Sequence, residues 1–365
     1  MKSIVKSKIL LILILLLGAL LRLVYLDRLP NSLTPDEAAL GYNAYSIIKT
    51  FKDEHGEFLP IIFKSFGDYK PGLYIYAAIP FVATFGLNEL AVRLPSAIAG
   101  VVFIWILFKL FKDLVDEKAG LWLAFVCAIN PWLIFFSRGA WEANLSLTLI
   151  AGGIYLLIKF LKNKNNKYLF YAAMLMGLSL TTYHGAKLSM PLALFAVVLV
   201  YWKELMKVNR KTLGIGVFVG VIVGLPILAT FVTGQAGRLS VFSILSYRRE
   251  NSYVQEYFTN LLPVKSELFI NLWYGEWYNT LTGVMRRFGH YFDPRFLFTE
   301  GDWEHPALTT PYMGVIMFVD LIPLLAGIYY LIKRPSKLSR LIWLLLILLP
   351  LPAALSRDEV NSVRS

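Results

Sequence analysis

Charge is what this sequence has least of. Only 16% of its 365 residues are Asp, Glu, Lys or Arg, while 57% are hydrophobic and 15% aromatic, a balance far from that of water-soluble domains. Cysteine is nearly missing as well. The single Cys127 lies in an apolar run, which excludes an internal disulfide and any multi-cysteine metal site. With 4 histidines and no compact His/Cys quartet, no zinc spacing emerges. Walker, dinucleotide-binding and H-E-x-x-H motifs do not occur. Long period-2 alternation is absent too, which argues against an outer-membrane barrel. No internal repeat is evident, so the inverted-repeat signature of many secondary transporters is missing.

What is present is a series of apolar runs, at roughly 9–26, 72–87, 94–112, 119–136, 141–161, 168–183, 186–202, 212–233, 312–332 and 341–355. Several approach or exceed the roughly 20 residues that carry a helix across a bilayer. The first follows Lys2, Lys6 and Lys8, but it is too long for a secretory signal and no small-x-small cleavage site follows, so it reads as a retained helix. The net charge of +12 sits in short loops between these runs, which points to membrane topology and not to a nucleic-acid partner.

The loops KFLKNKNNK (159–167), KELMKVNRK (203–211) and KRPSKLSR (333–340) are Lys/Arg-rich and therefore cytoplasmic, as is the N-terminus. Counting outward from both sides forces one segment to begin and end on the same face. The weakest is 72–87, which carries Pro71, Gly72, Pro80 and Gly86 at its ends and centre and reads as an interfacial or re-entrant helix. The expected fold is an all-α polytopic membrane protein of about nine transmembrane helices, a single domain over 1–365. It sits in the plasma (cytoplasmic) membrane with two large outer-face loops, 27–93 with its interfacial helices and 234–311. Loops of that length are usually functional, so chemistry is expected on the outer face.

Several constellations on that face carry candidate chemistry. In LTPDEAALGYNAY (33–45), Thr34, Pro35, Asp36 and Glu37 read as a helix start, with an N-cap, a proline at the first position and acids in the first turn. A carboxylate beside a membrane surface is also suited to deprotonating an acceptor hydroxyl. FGDYKPGLYIY (66–76) sets Tyr69 and Lys70 at the entry to the interfacial segment, where an ammonium either snorkels or holds a lipid phosphate. In SRGAWEANL, Arg138 and Glu142 stand at the mouth of two crossings, as substrate-path charges or as helix-dipole partners. His184 lies beside Gly185 in the turn TTYHGAKLS, either as a packing residue or facing the site. RRFGHYFDPRFLFTEGDWEHP offers His290 and Arg295 for anion or metal recognition, or for a solvated ion-paired loop. Glu89 and Arg93 are spaced i, i+4 and are expected to pair along a helix.

Taken in order, these motifs resemble the membrane-embedded C-type glycosyltransferases, in the protein O-mannosyltransferase and aminoarabinose transferase branch that uses polyprenyl-phosphate sugars. The DE of TPDEAALGY resembles that branch's catalytic first-loop motif, YKPGLYIY with GLNELAVRLPSAIAG its lipid-phosphate region, and NPWLIFFSRGAWEANL its second acidic loop. The resemblance implies a sugar transfer from a polyprenyl-phosphate donor to an acceptor hydroxyl on protein, lipid or glycan, with inversion. Asp36 would be the base, Glu37 its site-shaping neighbour and Lys70 a ligand of the donor phosphate. Tyr69, Arg138, Glu142, His184, His290 and Arg295 would be substrate-binding. Glu142 stands where relatives often have Asp. No cofactor is assigned, and a divalent metal is left open. Relatives usually continue through further crossings, so the end at SRDEVNSVRS is expected to be a truncation. The rival readings are a lipid-linked glycan polymerase or ligase with the same architecture, and a lipid or solute transporter, which predicts charges in mid-helix along a path.

Overall fold

The computed structural model describes residues 2–66, 68–232, 276–305, 310 and 312–356. Helices dominate: α1 (Lys2–Leu23), α2 (Pro35–Thr50), α3 (Leu73–Phe85), α4 (Glu89–Leu114), α5 (Glu117–Ile129), α6 (Pro131–Arg138), α7 (Glu142–Asn163), α8 (Asn166–Leu180) and α9 (Ala186–Val200). They continue through α10 (Trp202–Leu205), α11 (Arg210–Val232), α12 (Glu276–His290), α13 (Leu321–Lys333), α14 (Lys337–Leu348) and α15 (Leu351–Ala354). Every apolar run read from the sequence overlaps one or more of these helices, but the run at 312–332 is α-helical only from Leu321 onward, as the 13-residue α13.

Local sequence explains most of the starts. Asn88, Asp116 and Asn130 cap α4, α5 and α6 by accepting from the backbone N–H of Ala91, Ala119 and Leu133. Among the described residues four helices are long and apolar enough to cross a membrane: Glu89–Leu114, Glu142–Asn163, Arg210–Thr230 and the α14–α15 stretch Lys337–Ala354. A fifth span arises if α5 and α6, which meet at a 60° bend, are taken together. That bend corrects the expectation of one continuous helix over 119–136. Asn130 leaves helical geometry at ψ 120° because Pro131 follows it, and its side chain then caps α6. The 13 residues of α3, with Pro80 inside, reach about 20 Å, short of the hydrocarbon thickness.

The fold is not purely helical. Ile62–Ser65 (β1) and Asp68–Pro71 (β2) form an antiparallel hairpin with Phe63 opposite Lys70 and Ser65 opposite Asp68. Four-residue strands are too short to show a period, which is why the sequence pattern missed them.

Two ends of the bundle differ in chemistry. At one, Lys112 of α4 pairs with Glu117 of α5, Lys162 of α7 donates to the carbonyl of Asp113, and Lys337 of α14 pairs with Glu204 of α10. At the other lie the start of α4, the start of α7 and the junction between α6 and α7. The end of α8 is there too, where the N–H of Leu73 donates to the carbonyl of Thr181 at 3.0 Å. The main core joins α4, α7, α8 and α9 through Ile106, Ile158, Phe160, Ala172 and Val197. Small residues allow close approach, as membrane helices require. A Cβ on Gly177 of α8 would meet the carbonyl oxygen of Gly220 at 2.9 Å, and one on Gly100 of α4 would meet Ser137 Oγ at 2.2 Å.

Candidate active site

The start of α2 organises the site. Thr34 accepts from the N–H of Glu37, and the Glu37 carboxylate accepts in return from the N–H of Thr34 at 2.9 Å, a reciprocal cap. Successive helical residues point about 100° apart. Glu37 therefore turns inward when Asp36 turns outward.

Inward, Glu37 is 5% exposed and meets Arg93, which is fully buried. Arg93 Nε donates to Glu37 Oε1 at 3.0 Å, and the N–H of Ala140 donates to the same oxygen at 2.9 Å. The remaining guanidinium donors go to the carbonyls of Leu26, Pro30 and Ser32 and, at 3.5 Å, to Glu37 Oε2. A buried ion pair is tolerated when its surplus hydrogen bonds are made, and here they are. The pair fastens the segment after α1, the start of α2, α4 and the α6–α7 junction to one another. This corrects the expected Glu89–Arg93 pairing. It also separates the two acids read together as catalytic, because the carboxylate of Glu37 is committed to the interior.

Outward, the Asp36 side chain is 58% exposed and its Oδ1 lies 2.5 Å from Lys70 Nζ. Lys70 arrives from β2. Its side chain is only 13% exposed, and its ammonium stands 5.7 Å over the Phe66 ring at the hairpin turn. The two residues singled out from separate motifs, 34 positions apart, are thus in contact. Tyr69, the neighbouring strand residue, faces the other side of the hairpin, opposite Lys64.

The other residues expected at the site have their own settings. Arg138 donates to the carbonyl of Leu21 in the last turn of α1 and to those of Val24, Tyr25 and Leu29 in the segment that follows it. Glu142 opens α7 and acts electrostatically, with Glu37, on Tyr74 of α3. Burial first, and those two acids after it, hold the Tyr74 phenol well above its ordinary pKa. His184 sits half-buried in the turn between α8 and α9, at the same end of the bundle as Lys70. His290 and Arg295 flank Trp303, with ring centroids 5.4 Å apart and the guanidinium 4.7 Å over the indole. Arg295 also pairs with Glu300 at 2.7 Å, which lowers the Glu300 pKa. This second cluster packs against α6 through Trp132 and Phe296, and Asn130 donates to the carbonyl of Val315. Among the described residues no group of three or more His, Cys, Asp or Glu is disposed to hold a metal ion.

Sequence reasoning missed Arg22. It is 1% exposed and bonds to Ser137 Oγ and to the carbonyls of Gly18, Cys127 and Ala128. Its signal was a lone arginine inside the first apolar run.

Among solved structures, the chain is similar to the archaeal oligosaccharyltransferase AglB from Archaeoglobus fulgidus in complex with an inhibitory peptide and a dolichol-phosphate. The match has 15% identity and a TM-score of 0.53 over 98% of this chain and 49% of that one. ArnT from Cupriavidus metallidurans in the apo state also aligns, at 14% identity and a TM-score of 0.49, over 96% of this chain and 60% of that one. The chain thus spans 49% and 60% of the lengths of these two structures. No curated protein matches it. The chain shares its fold with that oligosaccharyltransferase. Residues 70–229 match the model of the dolichyl-phosphate-mannose-protein mannosyltransferase family. The match begins at Lys70.

Proposed function

We propose that the chain transfers a sugar from a polyprenyl-phosphate-linked donor to an acceptor hydroxyl, with Asp36 as general base and Lys70 holding the donor phosphate. The observation that carries this reading is the 2.5 Å contact between an exposed carboxylate and a shielded ammonium at one end of a membrane-spanning bundle. The name of the matched family supports the donor class. In the reaction, Asp36 takes the acceptor proton and the acceptor oxygen bonds to the anomeric carbon. The carbon–oxygen bond to phosphate breaks, and the electron pair leaves on a phosphate whose charge Lys70 stabilises. Attack opposite the leaving group inverts the anomeric centre. The acceptor is a protein, lipid or glycan hydroxyl.

The site faces away from the cytoplasm in this reading. Lys112, Lys162 and Lys337 mark the opposite end of the bundle, and Lys-rich loops stay inside. The transporter alternative calls for charges lining a path. Arg22 and Arg93 are buried, but their donors are taken by carbonyls, a hydroxyl and a carboxylate, so they hold helices together.

Incubating the purified protein with a panel of radiolabelled polyprenyl-phosphate sugars tests the proposal. One donor is consumed and its label appears on an acceptor, Asp36→Asn abolishes transfer while still binding donor, and Lys70→Ala weakens donor binding. Near-normal turnover by the Asp36→Asn protein would sink the assignment of the base.

A further inference from the structure

Asp36 and Lys70 cannot both do their proposed work while they remain in contact. Lys70 has three N–H donors but one charge, and its side chain is 87% shielded, so two anions compete for little space around it. A phosphate and a carboxylate on the same ammonium would also stand within a few ångströms of each other and repel. The low exposure of Lys70 leaves that repulsion only partly screened by solvent.

The hairpin supplies a second donor. Paired residues of an antiparallel ladder lie on the same face, so the positions of Phe63, Ser65, Asp68 and Lys70 share one side. On that side Phe63 is 1% and Ser65 5% exposed. Among the described residues the Ser65 hydroxyl has no hydrogen-bond partner. A buried unsatisfied hydroxyl costs free energy, so its presence calls for an explanation, and a ligand is one. Diagonal positions such as Ser65 and Lys70 have Cβ atoms about 7–8 Å apart or less, a span that one phosphate bridges with two of its oxygens.

We propose that this face of the hairpin is a phosphate cradle made by Lys70 and Ser65, that Asp36 is its resting occupant, and that a lipid phosphate binds by displacing Asp36. The exchange orders the reaction. Asp36 is released toward the acceptor only once donor phosphate has replaced it on Lys70, so donor binds first. This rests on the glycosyltransferase reading above and adds to it a residue and an order of events.

The test is binding of a polyprenyl monophosphate to the full chain in detergent, with the uncharged polyprenol as control. Asp36→Asn tightens phosphate binding about fivefold or more, because the competitor is gone, and Lys70→Gln weakens it roughly tenfold. Their combination binds no tighter than Lys70→Gln alone. Ser65→Ala weakens phosphate binding roughly tenfold, Ser65→Thr restores it, and polyprenol binding is the same in all variants. Unchanged or weaker binding by Asp36→Asn overturns the exchange, as does equal tightening in the Lys70→Gln background, which would mean simple repulsion. Unchanged binding by Ser65→Ala removes Ser65 from the cradle. If the unmodified protein binds monophosphate no better than polyprenol, the donor reading itself fails. If it binds and transfers yet shows no Asp36–Lys70 coupling, only the cradle fails.

Discussion

Arg93 is a charged residue with no exposed surface, and what makes it tolerable is an acid 56 residues earlier. Removing either partner leaves the other charge stranded in a low-dielectric interior, which typically costs about 3–5 kcal/mol. Glu37→Gln and Arg93→Ala are therefore expected to lower the thermal midpoint in detergent and to lose transfer together, read by a melting curve beside an activity assay. Arg93→Lys will not rescue, because three donors on one nitrogen cannot reach the carbonyls of Leu26, Pro30 and Ser32 and the carboxylate at once. The capped start of α2 was legible from Thr34, Pro35 and the two acids that follow. The partner of Arg93 was not. The i, i+4 rule nominated Glu89, whereas tertiary burial selected an acid brought near by the chain after α1. The contact of Lys70 with Asp36 was not legible, since the hairpin that delivers Lys70 is too short to announce itself.

The helical elements were legible because apolar runs and capping residues act locally, and their breaks were legible only in part. Pro131 marks the bend between α5 and α6, but its 60° angle depends on how α6 packs across α4 and α1. At the crossing of α4 and α6, Gly100 is in contact with Ser137 and Arg22, and a larger side chain has nowhere to go. Gly100→Val is expected to reduce the yield of folded protein severely, checked by size-exclusion chromatography of the solubilised chain. Farther down the bundle, Lys337 hydrogen-bonds Glu204 and holds the Glu204 carboxyl below its ordinary pKa, tying α10 to α14. A depressed carboxylate stabilises the fold above its unfolded pKa, and that contribution disappears as pH falls through the folded value. Acidification below about pH 4.5 should therefore lower the melting temperature of the natural protein more than that of Glu204→Gln.

At the scale of the molecule, fold class followed from composition, and the placement of the Asp36 end opposite the lysine end followed from loop charge. The order of the two ends in the bilayer has a direct assay. Cys127 is the sole cysteine and is buried, so a single introduced thiol reports on its own position. With a membrane-impermeant maleimide on intact cells, Tyr42→Cys on the exposed face of α2 should label, and Lys164→Cys at the other end should label only after the membrane is opened. The reverse pattern would put the site in the cytoplasm. The contact of the second loop region with α6 was not legible, since Asn130 and Val315 are 185 residues apart and nothing local links them.

The grip of Arg138 on the last turn of α1 has a consequence for how the chain is made. Of the four carbonyls it reaches, that of Tyr25 already accepts from the N–H groups of Arg28 and Leu29, while those of Leu21, Val24 and Leu29 wait for a guanidinium that leaves the ribosome more than a hundred residues later. Until then those three depend on water, which is found at the membrane surface and not within it, so the newborn first helix is expected to keep its far end at the interface.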